Sequence, residues 1–499
     1  MEDAPATKKK RFQGPRHKDS TPKEGNEDGV DHISSLPDNI LGDIISLLPT
    51  MDCARTKCLS SKWSRLWLSA PLNFDYCDLQ DPNDDKDLVS IISYIFYAHP
   101  GPARRFCIPA HYLCTNIDNV VTWLQSPTLN GLQELEFHIP EVDFTLSLYP
   151  PPPASIFRFS STLRIVSFGG CRLPDIMVNQ LQFPNLQQLT LFDAIISEET
   201  LHAMLDSCPT LKILLMKYNE GFRYVRINSR SLKSIGVHTD SFRQGPTLEE
   251  LIIEDAPFLE RLISFERYSR LHILVISAPK LETLGCIFEN SNKTMLTLGS
   301  TTFLGIRSVD MRATVSMHTV KVLSVFPLSL CLDDVLNFIR CFPCLEKLYI
   351  RLVFGLHNVI VILVIISWSK LIFHTRLNFQ SHEQGHTNQW CCKQRNLIKS
   401  LDLHLKTIVM TNYRGTAEQT EFVTFFVENA RNLESMRFVV PSCFYGDKNW
   451  IRRQHIQLKL DKSSSRGATF TFIDNQCHHN MIHVLRASDL SAADPFDLT

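Results

Sequence analysis

The chain has 499 residues, of which 44% are hydrophobic and 21% are charged, and its formal net charge is −1. This balance is typical of a soluble globular protein, and the length allows several domains with a large core. A net charge near zero argues against a generally basic surface that binds nucleic acid. The 15 cysteines lie scattered in apolar contexts with no signal peptide before them, so we expect reduced thiols and no disulfide framework.

Residues 1–30 are polar and lack apolar periodicity, which predicts a disordered tail. Within this tail, Lys8, Lys9, Lys10 and Arg11 form a basic cluster of the kind that nuclear import receptors bind. A solvated run of charge has the same composition and is the alternative. We therefore expect a protein of the nucleus, the cytoplasm or both.

Residues 31–75 have the pattern of a compact helical module. The apolar residues of its first helix gather on one face, and they are Leu36, Ile40, Leu41, Ile44, Ile45 and Leu48. Pro37 suits the first turn of this helix and Pro49 stops it. A second short helix is predicted over 52–59, and Ser60 with Ser61 is expected to cap a third helix that places Trp63, Leu66 and Trp67 on one side. So small a segment cannot bury all its apolar surface, which favours a partner chain or the following domain as its cover.

These residues, from Leu36-Pro37-Asp38 to Trp63 and Trp67, closely resemble the F-box of plant F-box proteins. Where the family typically has Leu-Ser-Lys-Arg-Trp, this chain has Leu-Ser-Ser-Lys-Trp over 59–63, which keeps a cation before the tryptophan. The resemblance implies that the module docks on a Skp adaptor, which tethers the protein to a cullin and a ubiquitin-conjugating enzyme. It also implies adaptor-facing candidates, some of which will instead be internal core: Leu36, Pro37, Ile40, Leu41, Ile44, Leu48, Leu59 and Trp63. Periodicity alone fits an ordinary helical cap on a larger domain equally well.

From about residue 120 a phrase of the form Leu-x-x-Leu-x-Leu, or a close variant, recurs along the chain. Seven copies begin at Leu132, Leu163, Leu186, Leu211, Leu248, Leu271 and Leu345, and a weaker one begins at Leu232. The copies at 163, 186 and 211 are 23 and 25 residues apart, which is the spacing of leucine-rich repeats. Each repeat is then a short strand with a return segment, and stacked repeats predict a curved solenoid over 76–350. A stack of unrelated α/β layers is the alternative.

The return segments are expected to be helical where they are long enough. Two have helical patterns, over 197–205 with Ser197 as a plausible N-cap and over 332–339. Residues 285–320 lack the repeated phrase, and a local distortion of the solenoid is expected there.

The C-terminal part over 390–475 reads as strand, turn, helix and strand, and it ends in an apolar strand over 468–472. It resembles the FBD region that follows leucine-rich repeats in many plant F-box proteins, so most of the chain resembles the plant F-box/LRR/FBD family. The expected fold is α/β, with a small N-terminal all-helical F-box, a curved leucine-rich-repeat solenoid and a C-terminal FBD-type α/β cap on its open end. Residues 476–499 are predicted to be a tail.

One apolar run, over 359–366, does not fit the repeats. His357 and Lys370 bound it too closely for a membrane span, which needs about 18 consecutive apolar residues. We therefore expect no membrane association, and a buried strand is one interpretation of the run.

Our hypothesis for residues 353–380 is that they are a translated retained intron. Val353 requires a codon that begins with GT, the codon of Gln380 can end in AG, and removal of the segment keeps the reading frame. The chain would then be an aberrant isoform that carries an aggregation-prone insertion. Sequencing transcripts across this junction tests the hypothesis.

Two groups of residues have the spacing of metal or redox sites. They are Cys341 with Cys344, and Cys477, His478 and His479 with His483. Neither group has the second half of a four-ligand site, and the chain has no phosphate-binding loop or nucleophile elbow. We therefore expect no metal, no cofactor and no catalysis by this chain.

The function that these patterns favour is that of a non-catalytic substrate receptor in an SCF-type ubiquitin ligase, with the F-box on the adaptor and the repeats and FBD region on an unknown target protein. The alternatives are a leucine-rich-repeat interaction module that takes no part in a ligase and a nonfunctional isoform.

Overall fold

The computed structural model describes residues 32–79, 88–139, 149–175, 182–239, 245–265, 271–288, 295–308, 317–327, 330–352, 404–474, 484 and 486–497. The predicted N-terminal tail, the hypothetical intron over 353–380 and the Cys/His group at 477–483 lie outside the described residues.

Three short helices form the N-terminal module, as the apolar periodicity predicts. They are α1 (Asp38–Leu47), α2 (Thr50–Arg55) and α3 (Ser61–Ser69). Pro37 directly precedes α1, and the side chain of Ser60 caps α3 by accepting a hydrogen bond from the backbone N–H of Trp63. The helices enclose a small core of Leu41, Ile45, Cys53, Trp63, Leu66, Trp67 and Ala70.

A fourteen-stranded sheet, called the main sheet below, runs from the end of this module almost to the end of the chain. All its neighbouring strands are parallel. In spatial order, they are β1 (Leu72–Asp75), β2 (Ala103–Pro109), β3 (Glu134–His138), β4 (Ile165–Gly169), β6 (Gln188–Phe192), β8 (Ile213–Lys217), β10 (Ser234–His238), β12 (Arg261–Ser264), β14 (Thr283–Phe288), β18 (Val322–Phe326), β19 (Lys347–Arg351), β20 (Thr407–Thr411), β21 (Ser435–Val440) and β22 (Thr469–Asp474).

Two smaller sheets are built from the return segments. A six-stranded sheet contains β9 (Tyr224–Asn228), β11 (Glu250–Asp255), β13 (His272–Val275), β15 (Met295–Leu298), β16 (Thr301–Leu304) and β17 (Arg307–Ser308). A two-stranded sheet pairs β5 (Arg172–Leu173) with β7 (Ile195–Ile196). Between Ile213 and Leu298 the chain therefore alternates between the main sheet and the six-stranded sheet, strand by strand.

The repeat assignment needs one correction in this part of the chain. The copies at Leu248 and Leu271 form β11 and β13, which belong to the six-stranded sheet and not to the main sheet. The main-sheet strands β12 and β14 instead follow weaker phrases that begin at Leu259 and Leu281, both fully buried. Apolar alternation identifies a half-buried strand but does not specify the sheet that the strand joins.

Five helices lie on the described return segments, and the last two are those that the sequence patterns predict. They are α4 (Leu88–Ala98), α5 (Tyr112–Thr115), α6 (Ile117–Gln125), α7 (Glu198–Asp206) and α8 (Leu332–Ile339). Ser197 caps α7 through a 3.2 Å hydrogen bond from the N–H of Thr200. Within 285–320, where the repeated phrase is lacking, β15, β16 and β17 form an antiparallel meander, in contrast to the parallel pairing of the main sheet.

The region after residue 403 adds three strands to the main sheet. β20 pairs with β19 in parallel, with Lys347 opposite Thr407. The two strands are therefore immediate neighbours in the main sheet. The helices α9 (Ala417–Asn429), α10 (Ser442–Tyr445) and α11 (Lys448–Gln457) lie between the last three strands. Thr416 and Gln419 form a capping box at the start of α9, and the predicted order of strand, turn, helix and strand is confirmed.

The main sheet buries residues on both of its faces. In β8, Leu214 and Met216 point to the large core with the repeat leucines, while Ile213 and Leu215 point to a separate cluster on the opposite side. We call this opposite side the second face. The sequence predicts only a tail after residue 475, but Val484 and the segment 486–497 pack against the second face.

Candidate adaptor-binding surface

The eight candidate residues of the helical module fall into three groups by exposure. Leu41 and Trp63 are 0% and 5% exposed and belong to the module's own core, so neither side chain is available to a partner. Leu36, Ile44 and Leu48 are half-buried against that core. Pro37, Ile40 and Leu59 are exposed, with Ile40 at 41% and Leu59 at 65%.

Three further apolar residues of the module are exposed and were not among the candidates. Ile33 is 59%, Leu47 is 74% and Met51 is 41% exposed. Leu47 lies seven residues after Ile40 on α1, which places both side chains on the same flank of the helix. That spacing is present in the sequence, and it would have identified Leu47. We call Ile33, Ile40, Leu47, Met51 and Leu59 the apolar set of the module.

The side chain of Lys62 fixes the chain that enters α1. Its Nζ donates to the carbonyl oxygens of Ser34 and Leu36 at 2.9 and 3.2 Å, and it lies 3.2 Å from a carboxylate oxygen of Asp38. The indole Nε1 of Trp63 donates to the hydroxyl of Ser34 at 3.0 Å. The cation before the tryptophan therefore has a structural role, because it holds the segment that carries Leu36 and Pro37.

The module is joined to the first strand of the main sheet, and to the turn after that strand, by several hydrogen bonds. The backbone N–H of Thr50 donates to Asp78 at 2.8 Å, and its hydroxyl donates to the carbonyl of Asn73 at 2.8 Å. The N–H of Asp75 in turn donates to the Thr50 hydroxyl at 3.0 Å. Thr50 is 3% exposed, so solvent does not compete for these bonds.

A second contact joins α3 to the segment after α4. The ring Nε2 of His99 lies 3.0 Å from the carbonyl oxygen of Trp67, and the two aromatic rings meet edge to face with their centroids 4.7 Å apart. Burial lowers the pKa of His99, which favours the neutral ring. With the bonds of Thr50, this contact fixes the orientation of the module relative to the repeats.

The cysteine pair in the repeats lies where the repeat pattern places it, in the turn between α8 and β19. Burial raises the pKa of Cys341, which is the opposite of what an activated thiolate requires. In the described part of the chain, no three or more His, Cys, Asp and Glu side chains are arranged to hold a metal ion. Among the same residues, no helix is both long enough and apolar enough to cross a membrane.

Comparison with known families matches three successive parts of the chain. The F-box domain model matches residues 33–75, the model described as "FBD-associated F-box protein At5g56370, LRR repeats" matches residues 120–350, and the FBD model matches residues 393–438. The helical module is therefore an F-box, and it is followed by leucine-rich repeats and an FBD region. This order defines the chain as an F-box protein of the leucine-rich-repeat class.

Two similar proteins are named for the same three parts. The F-box/FBD/LRR-repeat protein At5g56420 of Arabidopsis thaliana is 24% identical over 447 residues, which cover 88% of this chain and 97% of the relative. The F-box/FBD/LRR-repeat protein At5g22700 of the same plant is 30% identical over 250 residues, or 46% of this chain and 53% of that protein. The three matched models and these relatives together support a plant F-box/FBD/LRR-repeat protein.

Proposed function

We propose that this protein is a substrate-recognition subunit of an SCF-type ubiquitin ligase, in which the F-box binds a Skp adaptor and the repeat and FBD region binds a target protein. The observation that carries the proposal is the apolar set of the F-box, of which Leu47 and Leu59 are 74% and 65% exposed. Several large exposed apolar residues on so small a module are typical of a protein–protein interface.

The adaptor surface is assigned to the exposed members of the set and to the half-buried residues beside them. Ile40 and Leu47 share a flank of α1, and Ile44 lies between them on the same side. Leu41 and Trp63 support this surface from within the F-box core. The cullin is reached only through the adaptor.

The proposed mechanism is proximity. A target held on the repeats is brought near a charged conjugating enzyme, which raises the effective concentration of its lysines, and the chain itself supplies no catalytic group. The fixed joint at Thr50 and His99 supports this mechanism, because a rigid connection keeps the distance between target and enzyme within a narrow range. We further infer that the stacked repeats curve into a solenoid and that the FBD strands form its terminal repeats.

A pull-down of the full chain with a Skp adaptor tests the assignment. The double substitution Ile40→Asp with Leu47→Asp is expected to lower adaptor binding by more than about tenfold, because it places charge in the centre of the interface. Tyr97→Asp is the matched control, since Tyr97 is 88% exposed on α4, outside the F-box, and this variant is expected to bind like wild type. Absence of binding by the wild type would refute the ligase assignment, and full binding by the double variant would refute the assigned surface.

We also propose that the protein acts in the nucleus, the cytoplasm or both. The support is the basic cluster from Lys8 to Arg11, and replacing these four residues by alanine in a fluorescent fusion tests whether the cluster directs nuclear import.

A further inference from the structure

The second face of the main sheet carries a continuous apolar surface in the middle of the repeats. Residues in or directly after strands β8 through β21 form one buried cluster there with four residues from the end of the chain: Ile213, Leu215, Ile263, Phe265, Cys286, Phe288, Val322, Phe326, Tyr349, Val409 and Val439 with Val484, Ala487, Leu490 and Phe496. The six-stranded sheet differs, since buried and exposed residues alternate along β9. The segment 486–497, called the C-terminal segment below, therefore lies on an extended apolar strip.

The first half of the C-terminal segment carries a cation that meets a surplus of acidic groups. Arg105 pairs with Asp75 at 2.9 Å, Glu134 at 3.3 Å and Glu136 at 2.6 Å. The ring of His138 also lies 3.2 Å from Glu136, and the three carboxylates outnumber the guanidinium groups beside them before Arg486 is counted. The guanidinium of Arg486 lies 3.6 Å from carboxylate oxygens of both Asp75 and Glu136. This end of the second face therefore attracts a basic residue.

The other end of the strip has the opposite charge and binds carboxylates. Asp494 accepts hydrogen bonds from the Nζ of Lys347 at 2.8 Å and from the hydroxyl of Tyr349 at 2.9 Å. Asp497 pairs with Arg437 at 2.8 Å. The second face is thus acidic at β1 to β3, beyond the apolar strip, and basic at β19 to β21. The segment places Arg486 at the acidic end and its two carboxylates at the basic end.

Two glycines of the sheet make room for the apolar anchors of the segment. A Cβ atom at Gly236 would lie 2.8 Å from Cδ1 of Leu490, and one at Gly285 would lie 2.8 Å from the ring of Phe496. Leu490 and Phe496 are 0% and 3% exposed. The fit therefore depends on the absence of a side chain at these two strand positions.

Side chains of the sheet hold the backbone of Val484 and of the C-terminal segment, which also makes local hydrogen bonds such as the one from the N–H of Asp489 to the carbonyl of Arg486. Lys217 donates to the carbonyl of Val484 at 2.9 Å, and the hydroxyl of Ser234 donates to the carbonyl of Leu490 at 3.1 Å. Residues between the anchors, such as Ser488 and Ser491 to Ala493, face solvent. Buried anchors and ion pairs at both ends therefore fix the segment on the second face, with exposed residues between them.

We propose that the second face is the surface on which the target docks, and that the target presents a segment of the same chemistry as the C-terminal segment, which is displaced. That chemistry is a basic residue in the place of Arg486, followed by an aliphatic anchor in the place of Leu490 and an aromatic anchor in the place of Phe496. Two carboxylates three residues apart, like those of Asp494 and Asp497, lie on either side of the aromatic anchor. The inference rests on the proposed function only in naming the occupant as a ubiquitination target.

The test uses the full chain with a protease site inserted between Asp474 and Val484, cleaved after folding. A fluorescent synthetic peptide of residues 484–499 is then added, and its binding to the cleaved chain is measured by polarisation. Exchange of the released segment for the labelled peptide is expected, whereas the uncleaved chain binds the peptide at least about tenfold more weakly because its own segment competes at high effective concentration. Circular dichroism before and after cleavage shows whether the repeats remain folded.

Charge substitutions show whether the peptide binds in the observed register. A peptide with Asp494→Lys is expected to bind more than about tenfold more weakly, and Lys347→Asp in the protein is expected to restore its binding. A peptide with Ala493→Lys is the control, because residue 493 is exposed and its substitution is expected to leave binding unchanged. Failure of the compensating pair to restore binding would overturn the register.

If the cleaved segment stays bound and excess peptide cannot replace it, the segment is a permanent part of the fold and the inference is overturned. The same cleaved protein is assayed for adaptor binding. Adaptor binding without peptide exchange would overturn this inference alone, while peptide exchange without adaptor binding would overturn only the ligase assignment.

Discussion

Alanine substitutions at Leu41 and Leu47 are expected to separate the interior of the F-box from the surface that we propose for the adaptor. Leu41 is fully buried in a core of seven residues, so Leu41→Ala leaves a cavity and is expected to cost about 2–5 kcal/mol of local stability. Leu47 is 74% exposed, and Leu47→Ala is expected to change stability by no more than about 0.5 kcal/mol. The two changes delete the same atoms from the same helix.

Hydrogen exchange and adaptor affinity together measure this difference. Leu41→Ala is expected to speed backbone exchange in α1 to α3 by at least about thirtyfold, the factor that corresponds to about 2 kcal/mol, while strands β20 and β21 serve as an unchanged internal reference. Leu47→Ala is expected to leave exchange unchanged and to weaken adaptor binding by about tenfold, which is about 1.4 kcal/mol.

The opposite pattern would refute the assignment of these two side chains. If Leu41→Ala weakened adaptor binding without any change in exchange, Leu41 would have to contact the adaptor directly. If Leu47→Ala left the affinity of the adaptor unchanged, the exposed flank of α1 would not be part of the interface.

Three further substitutions test the local physics of the fold. Ser60→Ala is expected to lower the free energy of unfolding by about 1 kcal/mol, because it removes the cap of α3. Ser61→Ala, at the next and exposed position, is the control, and thermal unfolding measures both variants. Gly169→Ala is expected to destabilise the pairing of β3 with β4 and to lower soluble yield, because its Cβ would lie 2.2 Å from the carbonyl oxygen of Phe137. A variant with the yield and unfolding temperature of the wild type would contradict this. Burial would raise the pKa of Glu136, but hydrogen bonding and nearby cations outweigh burial and lower this pKa from 4.5 to about 2. The ionised carboxylate therefore contributes up to about 3 kcal/mol of folding stability above pH 4.5, and this contribution is lost as the pH falls towards 2. Glu136→Gln should flatten this decline in the unfolding midpoint, and an unchanged slope would refute the shift.

The elements that the sequence predicts correctly are those specified by local patterns. The helices of the F-box, the cap at Ser197 and the helix over 332–339 depend on residues within a few positions of one another, and the structure has them at those positions. The alternation between two sheets was not predicted, because a strand phrase such as that at Leu248 carries no signal for its neighbours in space. The sheet that a strand joins depends on pairing partners more than twenty residues away in sequence.

The exposed residues of the F-box were predicted only in part for a related reason. Ile40 and Leu41 are adjacent in sequence and both apolar, but successive residues of a helix point about 100° apart, so one lies outside and the other inside. Periodicity defines the apolar face of α1 without showing how much of that face the F-box uses for its own core. The packing of α1 against α3 settles this, since it buries Leu41 with Trp63 and leaves Ile40 in solvent.

The sequence does contain a signal for the covered second face. A repeat strand with one face in solvent should alternate apolar and polar residues, whereas a strand covered on both faces reads as a continuous apolar run. Residues 213–216 read Ile-Leu-Leu-Met, and every residue of β8 is buried. Such a run predicts a cover, but the residues that supply it are remote, since Ser234 and Leu490 are 256 residues apart. The apolar strip and the matching charges at its two ends are therefore properties of the sheet that any occupant of the second face has to satisfy, whether it is the chain's own end or a segment of another protein.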